Sequence, residues 1–507
     1  MELSVEITKN QESSQALILE EEQHFVAKKS FYQKILYELK SSATFAVFFT
    51  STLITIGAIF YSQFSNPAPP GFRTHLTPEG PEICVSVMSL FALWTAAFVL
   101  GRVSTLARMP PLLGMLLAGI VLRNIELRSF QFAPEIGTFL RKFAFVIILL
   151  RAGLGLDPEA LKRLKGVCVR LSLLPCSFEA LAVGFSSWIM FGFRPIYGLL
   201  LGFVLAAVSP AVVVPGMLDL QKRNLGVEQG IPTLVTAAAS MDDVYAITIF
   251  SSLFSMLKSP GTANVLDIGL QMSRAVAEVL AGCIIGSALG LLQWIIPGTE
   301  SGDFHFRRTS LLAVISSAVF FGSIVLGVDS LGPIAVLVSA FVAAIKWRNM
   351  STSIAKKSAD STVDNGLPQE KTFRIVWEYF AQPFLFSLIG YQLQLDKQDS
   401  GSVLIGLLVL LIGLVVRTFF AFISAFGTSL NVKERLFVAI AWLPKATVQA
   451  ALAPVLLDLV DSDPKQYRFR EEATVILTVA VLSILLTAPI GALLIRILAP
   501  LLIKRGG

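Results

Sequence analysis

Long apolar runs alternate with short polar interruptions along the chain, and the run lengths set its class. A helix needs about 20 apolar residues to cross a bilayer, with a range of roughly 17–25. Such runs fall at about 43–64, 82–101, 110–123, 143–156, 166–192, 196–216, 231–257, 268–297, 309–328, 330–346, 374–393, 402–427, 434–456 and 473–499. The pattern predicts an all-α polytopic membrane protein of about fourteen spans. The runs at 110–123 and 143–156 are short, so their helices are expected to extend into the flanking polar residues.

Two of the runs are interrupted. The first break is Val208-Ser209-Pro210-Ala211-Val212-Val213-Val214-Pro215, where Ser209, Pro210 and Pro215 are the expected breakers. The second is Trp442-Leu443-Pro444-Lys445-Ala446-Thr447-Val448-Gln449, with Pro444 and Thr447 in mid-span. Each proline removes a backbone donor and crowds the preceding turn. Non-helical backbone at membrane depth survives only where protein or a water-filled cavity satisfies its polar groups. Proline-interrupted spans at corresponding places in two halves point to a transporter's binding site. The halves do correspond: Pro110-Pro111-Leu112-Leu113-Gly114 opens a short span in the first and Leu331-Gly332-Pro333-Ile334-Ala335 in the second. Each leads through spans to a break and then to one further span. With five spans per unit, the odd number makes the repeats inverted.

Charges inside the apolar runs are expensive and therefore informative. Asp242 and Asp243 are adjacent within 231–257. Consecutive helical residues differ by about 100° in direction, so the two carboxylates face different partners. Asp243 is assigned the transported cation, a hard ion that prefers oxygen ligands, and Asp242 the counter-charge role. Val208 and Ala239 are candidates to add backbone carbonyls. Lys445, in the second break, is the expected partner of the Asp pair, since a desolvated lysine stays charged only beside a carboxylate. Glu179 and Arg417 are lone charges in separate runs and are expected to form a buried pair. Arg151 has no partner legible from sequence.

Composition supports this picture. Hydrophobic residues make up 54% and charged residues 15% of the 507, against about 25% charge in a soluble chain. The net charge of +6 does not indicate nucleic acid, because Lys and Arg gather in short loops between spans. With the amino terminus inside, the richer loops are cytoplasmic, including Lys162, Arg163 and Lys165, and Lys346 to Lys371. Both termini are then cytoplasmic. Residues 1–42 are polar and read as a disordered cytoplasmic tail. Cys84, Cys168, Cys176 and Cys283 lack metal or redox spacing and read as apolar fillers. No phosphate-binding loop indicates an ATP motor, and His24, His75 and His305 lie outside the spans without metal spacing. No cofactor is expected.

Taken together, Pro110 to Gly119, Arg151 to Asp157, Ser209 to Pro215, the Asp242–Asp243 pair and Trp442 to Ala450 resemble the animal NHA branch of the sodium/proton antiporters, within the cation–proton antiporter superfamily. The likeness covers about residues 80 to 500. It implies the antiporter fold with two crossing broken helices beside the Asp pair, in which a six-helix core domain works against a dimerisation domain in a homodimer. On that template, 43–64 is an extra amino-terminal span at the dimer interface and 82–156 holds the first-half spans. Residues 166–257 are core helices with the Asp pair, and 268–346 are linking and dimer-domain spans. A cytoplasmic loop at 347–373, a dimer-domain span at 374–393, core helices at 402–499 and a cytoplasmic tail at 500–507 complete the chain. Asp243 resembles the ion-binding carboxylate, Arg417 stands where electrogenic bacterial relatives carry lysine, and Glu179 matches its acidic partner.

The expected function is exchange of Na⁺ or Li⁺ for H⁺ across a lipid bilayer, by competition at Asp242 and Asp243 and elevator-like alternating access. Arginine in effect cannot release a proton, so a fixed Arg417–Glu179 pair predicts electroneutral exchange. The alternative is a sodium-coupled symporter of the bile-acid type, which shares the architecture. No address signal selects among plasma, endolysosomal and mitochondrial membranes.

Overall fold

In the computed structural model, residues 80–125, 134–156, 158, 165–258, 265–295, 304–358, 367–397, 399–462 and 467–504 are described. The tail at 1–42, the span at 43–64, the middle of the 347–373 loop and the last three residues lie outside them. Described residues from Ala92 onward belong to one compact unit, and Gly80–Phe91 to another.

The described chain folds as helices. They are α1 Gly80–Leu106, α2 Pro111–Asn124, α3 Pro134–Gly155, α4 Lys165–Phe191, α5 Pro195–Ala206, α6 Pro210–Lys222, α7 Ile231–Lys258 and α8 Val265–Ile295. The remainder are α9 Phe304–Val325, α10 Leu331–Ser358, α11 Pro368–Val376, α12 Gln382–Gln392, α13 Ser400–Ser424, α14 Val432–Ala441, α15 Thr447–Ser462 and α16 Arg470–Leu502. Among the described residues, nine helical segments are long and apolar enough to cross a bilayer. One of the nine, Pro195–Lys222, runs across the first break; the second broken span, in pieces of 10 and 16 residues, is not among them.

Two expectations need correction, and one holds. The run at 110–123 does not lengthen. Pro111 fixes the start of α2, and Asn124 ends it by donating to the carbonyls of Ile120 and Leu393 and accepting from the Leu395 amide. The run at 143–156 does extend, back to Pro134. Of the described residues in the 347–373 stretch, 347–358 and 368–373 are helical. Trp347 to Ser358 contains neither glycine nor proline to stop α10, and Trp347 itself is buried. The span at 374–393 carries a π turn, Trp377–Ala381, just before Pro383, whose missing N–H cannot support a regular ladder.

The element order repeats. The series α2, α3, α4, the broken α5–α6 and α7 matches α10, the π-interrupted α11–α12, α13, the broken α14–α15 and α16. Glu179 on α4 and Arg417 on α13 therefore occupy equivalent helices of the two halves. Packing is tight where small residues allow it. At the crossing of α2 and α12, a Cβ on Gly119 would strike the Ser387 carbonyl, and one on Gly390 would strike the Leu116 carbonyl. α4 lies against α5 and α13, while α10 lies against α8 and α3.

Candidate functional site

The site begins with the backbone that the two breaks release. Between α5 and α6 the chain is extended from Ala207 to Ser209. Between α14 and α15 it is non-helical from Leu443 to Ala446. The breaks touch: the Ser209 amide donates to the Pro444 carbonyl at 2.8 Å. Every freed group needs a partner at this depth. Gln449 Nε2 donates to the carbonyls of Val204 at 3.0 Å and Ala207 at 2.9 Å. Lys445 Nζ donates to the Leu205 carbonyl and Arg417 Nη1 to the Ala206 carbonyl. Arg417 Nε also donates to the Trp442 carbonyl at 2.7 Å, and the Lys445 amide to Thr487 Oγ1 at 2.9 Å. One guanidinium thus serves carbonyls at the C-terminal ends of both α5 and α14, where the helix dipoles are negative.

The charges form a chain. Arg417 meets Glu179 at 2.7 Å and Asp242 at 3.0 Å, and Lys445 meets the other oxygen of Glu179 at 2.6 Å. All four side chains are fully buried. Asp242 Oδ2 also accepts the Val208 amide at 2.6 Å. Two cations balance two carboxylates. Asp243 stands outside that balance. It is 3% exposed, and its Oδ1 has no hydrogen-bond partner.

The sequence expectations fare unevenly against this geometry. The Asp residues do point to different surroundings, and Asp242 has the counter-charged one. The Arg417–Glu179 pair exists, and it continues through Arg417 to Asp242. Lys445 does not pair with either aspartate as expected; its ammonium is held by Glu179, which α4 brings beneath the second break. Val208 donates its N–H to Asp242. Ala239 is fully buried in unbroken α7, where its carbonyl belongs to the helix ladder. Pro210 starts α6 and Thr447 starts α15, as breakers at helix boundaries should. Pro215 is not part of the break: it lies inside α6. Ser209 caps α6 without a side-chain bond, and its hydroxyl has no partner. Gln449 and Thr487 were missed. Gln449 was visible as a polar residue in mid-span; Thr487 had no sequence signal apart from its distance from either helix end. Arg151 lies away from this network, with its guanidinium 5.4 Å from the centre of the Trp377 ring.

Inverted halves, two discontinuous helices crossing at backbone contact and buried carboxylates at the crossing define a secondary ion transporter. The chain belongs to the sodium/hydrogen exchanger family: the family model described as "Sodium/hydrogen exchanger, transmembrane" matches residues 92–499. It is 40% identical over 410 residues to human sodium/hydrogen exchanger 9B2, covering 80% of this chain and 72% of that protein. It is 39% identical over 439 residues to the 9B2 exchanger of Xenopus tropicalis, covering 84% and 77%. With human sodium/hydrogen exchanger 9B1 the identity is 37% over 432 residues, covering 83% and 79%. Among solved structures, the sodium proton antiporter MjNhaP1 from Methanocaldococcus jannaschii matches with a TM-score of 0.65 at 17% identity, over 83% of this chain and 99% of that one. That likeness concerns the fold. The alternative of a bile-acid-type symporter gains nothing from these matches.

Proposed function

We propose that the chain exchanges Na⁺ or Li⁺ for H⁺ across its membrane by competition at Asp243, with Asp242 beside it. The observation that carries this reading is the uncompensated burial of Asp243 next to a balanced network. An isolated buried carboxylate charge costs several kcal/mol. A bound proton or a bound cation removes that cost, and both use the same oxygens, so they exclude one another. The unpartnered Asp243 Oδ1, Asp242 Oδ1 and Ser209 Oγ supply the oxygen character a small alkali cation prefers.

The helices bearing the network, α4 to α7 and α13 to α16, then act as the core domain. They shift against α1 to α3 and α9 to α12 to open the site to alternate sides, in a homodimer with both termini cytoplasmic. Arg417 keeps its proton and Lys445 is held by Glu179, so exchange is electroneutral, with about one proton per cation. The test is purified protein in proteoliposomes carrying a pH dye. Outward Na⁺ or Li⁺ gradients should drive proton movement, and an imposed voltage should not. Absence of cation-driven pH change would refute the reading.

A further inference from the structure

Beyond Asp243, α7 runs on for about four turns to Lys258. Phe250 and Phe254 of that stretch border a cavity of about 150 Å³. Leu452 and Val455 of α15 form a second wall, and Phe145 of α3 and Phe320 of α9 a third. The cavity thus lies between the two elements that continue from the site and two helices that take no part in it.

Its rim is charged, and the charges are paired across that division. Arg141 of α3 donates to both oxygens of Asp458 on α15, at 2.7 and 3.0 Å. Lys258, at the end of α7, meets Asp329 in the turn before α10 at 2.7 Å. Further ties join the same elements nearby. Buried Glu278 of α8 accepts from Ser255 of α7 at 3.0 and 3.1 Å and from the Ser330 amide at 3.2 Å. The Ser330 hydroxyl donates to the Ser251 carbonyl at 2.8 Å. By the distribution of Lys and Arg, this is the non-cytoplasmic end.

We propose that the Arg141–Asp458 and Lys258–Asp329 pairs are an ionic gate, and that the cavity beneath them is the path to Asp243 when they open. The inference rests on the alternating-access reading above. Both pairs link an element of the site to an element outside it, so relative motion of the two sets must break them. Each pair keeps one partly exposed partner, Asp458 in one and Lys258 in the other, so water reaches the pairs from the rim and can take over the charges as they part. The phenyl rings below keep the closed path dry.

The test uses the full chain with Cys84, Cys168, Cys176 and Cys283 replaced by alanine and Val455→Cys as reporter. A membrane-impermeant thiol reagent is applied from the Lys258 face. Arg141→Ala with Lys258→Ala should speed labelling by roughly five-fold or more. The near-isosteric Asp458→Asn with Asp329→Asn should move it in the same direction and serves if the first variant fails to fold. Unchanged labelling in a folded variant that still exchanges overturns the gate and leaves the antiport reading in place. A parent chain without cation-driven proton movement overturns the antiport reading instead.

Discussion

The amide of Ser209 donates to the carbonyl of Pro444 at 2.8 Å, so the two half-broken spans are tied backbone to backbone at the point where they cross. Pro444 is packed against α16, where a Cβ added to Gly491 would strike its ring. Overpacking of this kind costs about 1–3 kcal/mol, and here the displaced atoms lead directly to the ion site. Gly491→Val should therefore lower exchange at least as much as it lowers thermal stability, and Gly491→Ala should do so less. Parallel measurement of Tm in detergent and exchange in vesicles separates the two effects; full activity in Gly491→Val would contradict the packing argument.

Asp242 and Asp243 should fail differently when neutralised. Asp243→Asn removes the uncompensated carboxylate and leaves the Arg417–Glu179–Lys445 chain intact. Exchange should vanish while Tm holds or rises, since a buried unpaired charge is destabilising. Asp242→Asn leaves Arg417 with only Glu179 as a charged partner, so both exchange and Tm should fall. Equal Tm losses in the two variants would argue against the division of roles.

Arg417 reaches Glu179, Asp242 and the carbonyls of Ala206 and Trp442 with one planar fork. Lysine offers a point charge on a flexible stem and can release a proton when desolvated. Arg417→Ala should cost about 3–5 kcal/mol, as removal of one partner from a buried ion pair does. Arg417→Lys should be milder and should make exchange respond to voltage. Proteoliposomes clamped with potassium and valinomycin check this, and a voltage-insensitive Lys variant would mean that Arg417 does not set the charge balance.

The helices were legible because a bilayer imposes a length and a polarity on each span, and both are one-dimensional properties of the sequence. The breaks were legible as prolines beside polar residues, although Pro215 showed that a proline near a break can sit inside a helix. The existence of the charged cluster followed from the cost of burying charge. Its wiring did not follow. Lys445 could be matched with any carboxylate at its depth, and only the rotation of α4 relative to α15 brings Glu179 under it instead of an aspartate. That the Val208 N–H reaches Asp242 was not legible either, because the group an unwound residue presents depends on its φ and ψ rather than on its identity. The helices at 347–358 and 368–373 were not legible for the opposite reason: polar composition signals exposure to water, which a helix satisfies as well as a coil.

Competition at one buried carboxylate sets the sign of the pH response. Protonation of Asp243 removes the ligand a cation needs, so acidifying the side to which the site is open should raise the apparent KM for Na⁺ on that side. Where the protonated form predominates, the rise should approach about tenfold per pH unit. Maximal rate at saturating Na⁺ should change much less, because enough cation restores occupancy. The same shift should appear with Li⁺, since the oxygens are shared. Initial rates measured across a Na⁺ series at several external pH values decide the matter. A KM that stays constant while the maximal rate falls on acidification would place the titrating group elsewhere and end the case for shared oxygens at Asp243.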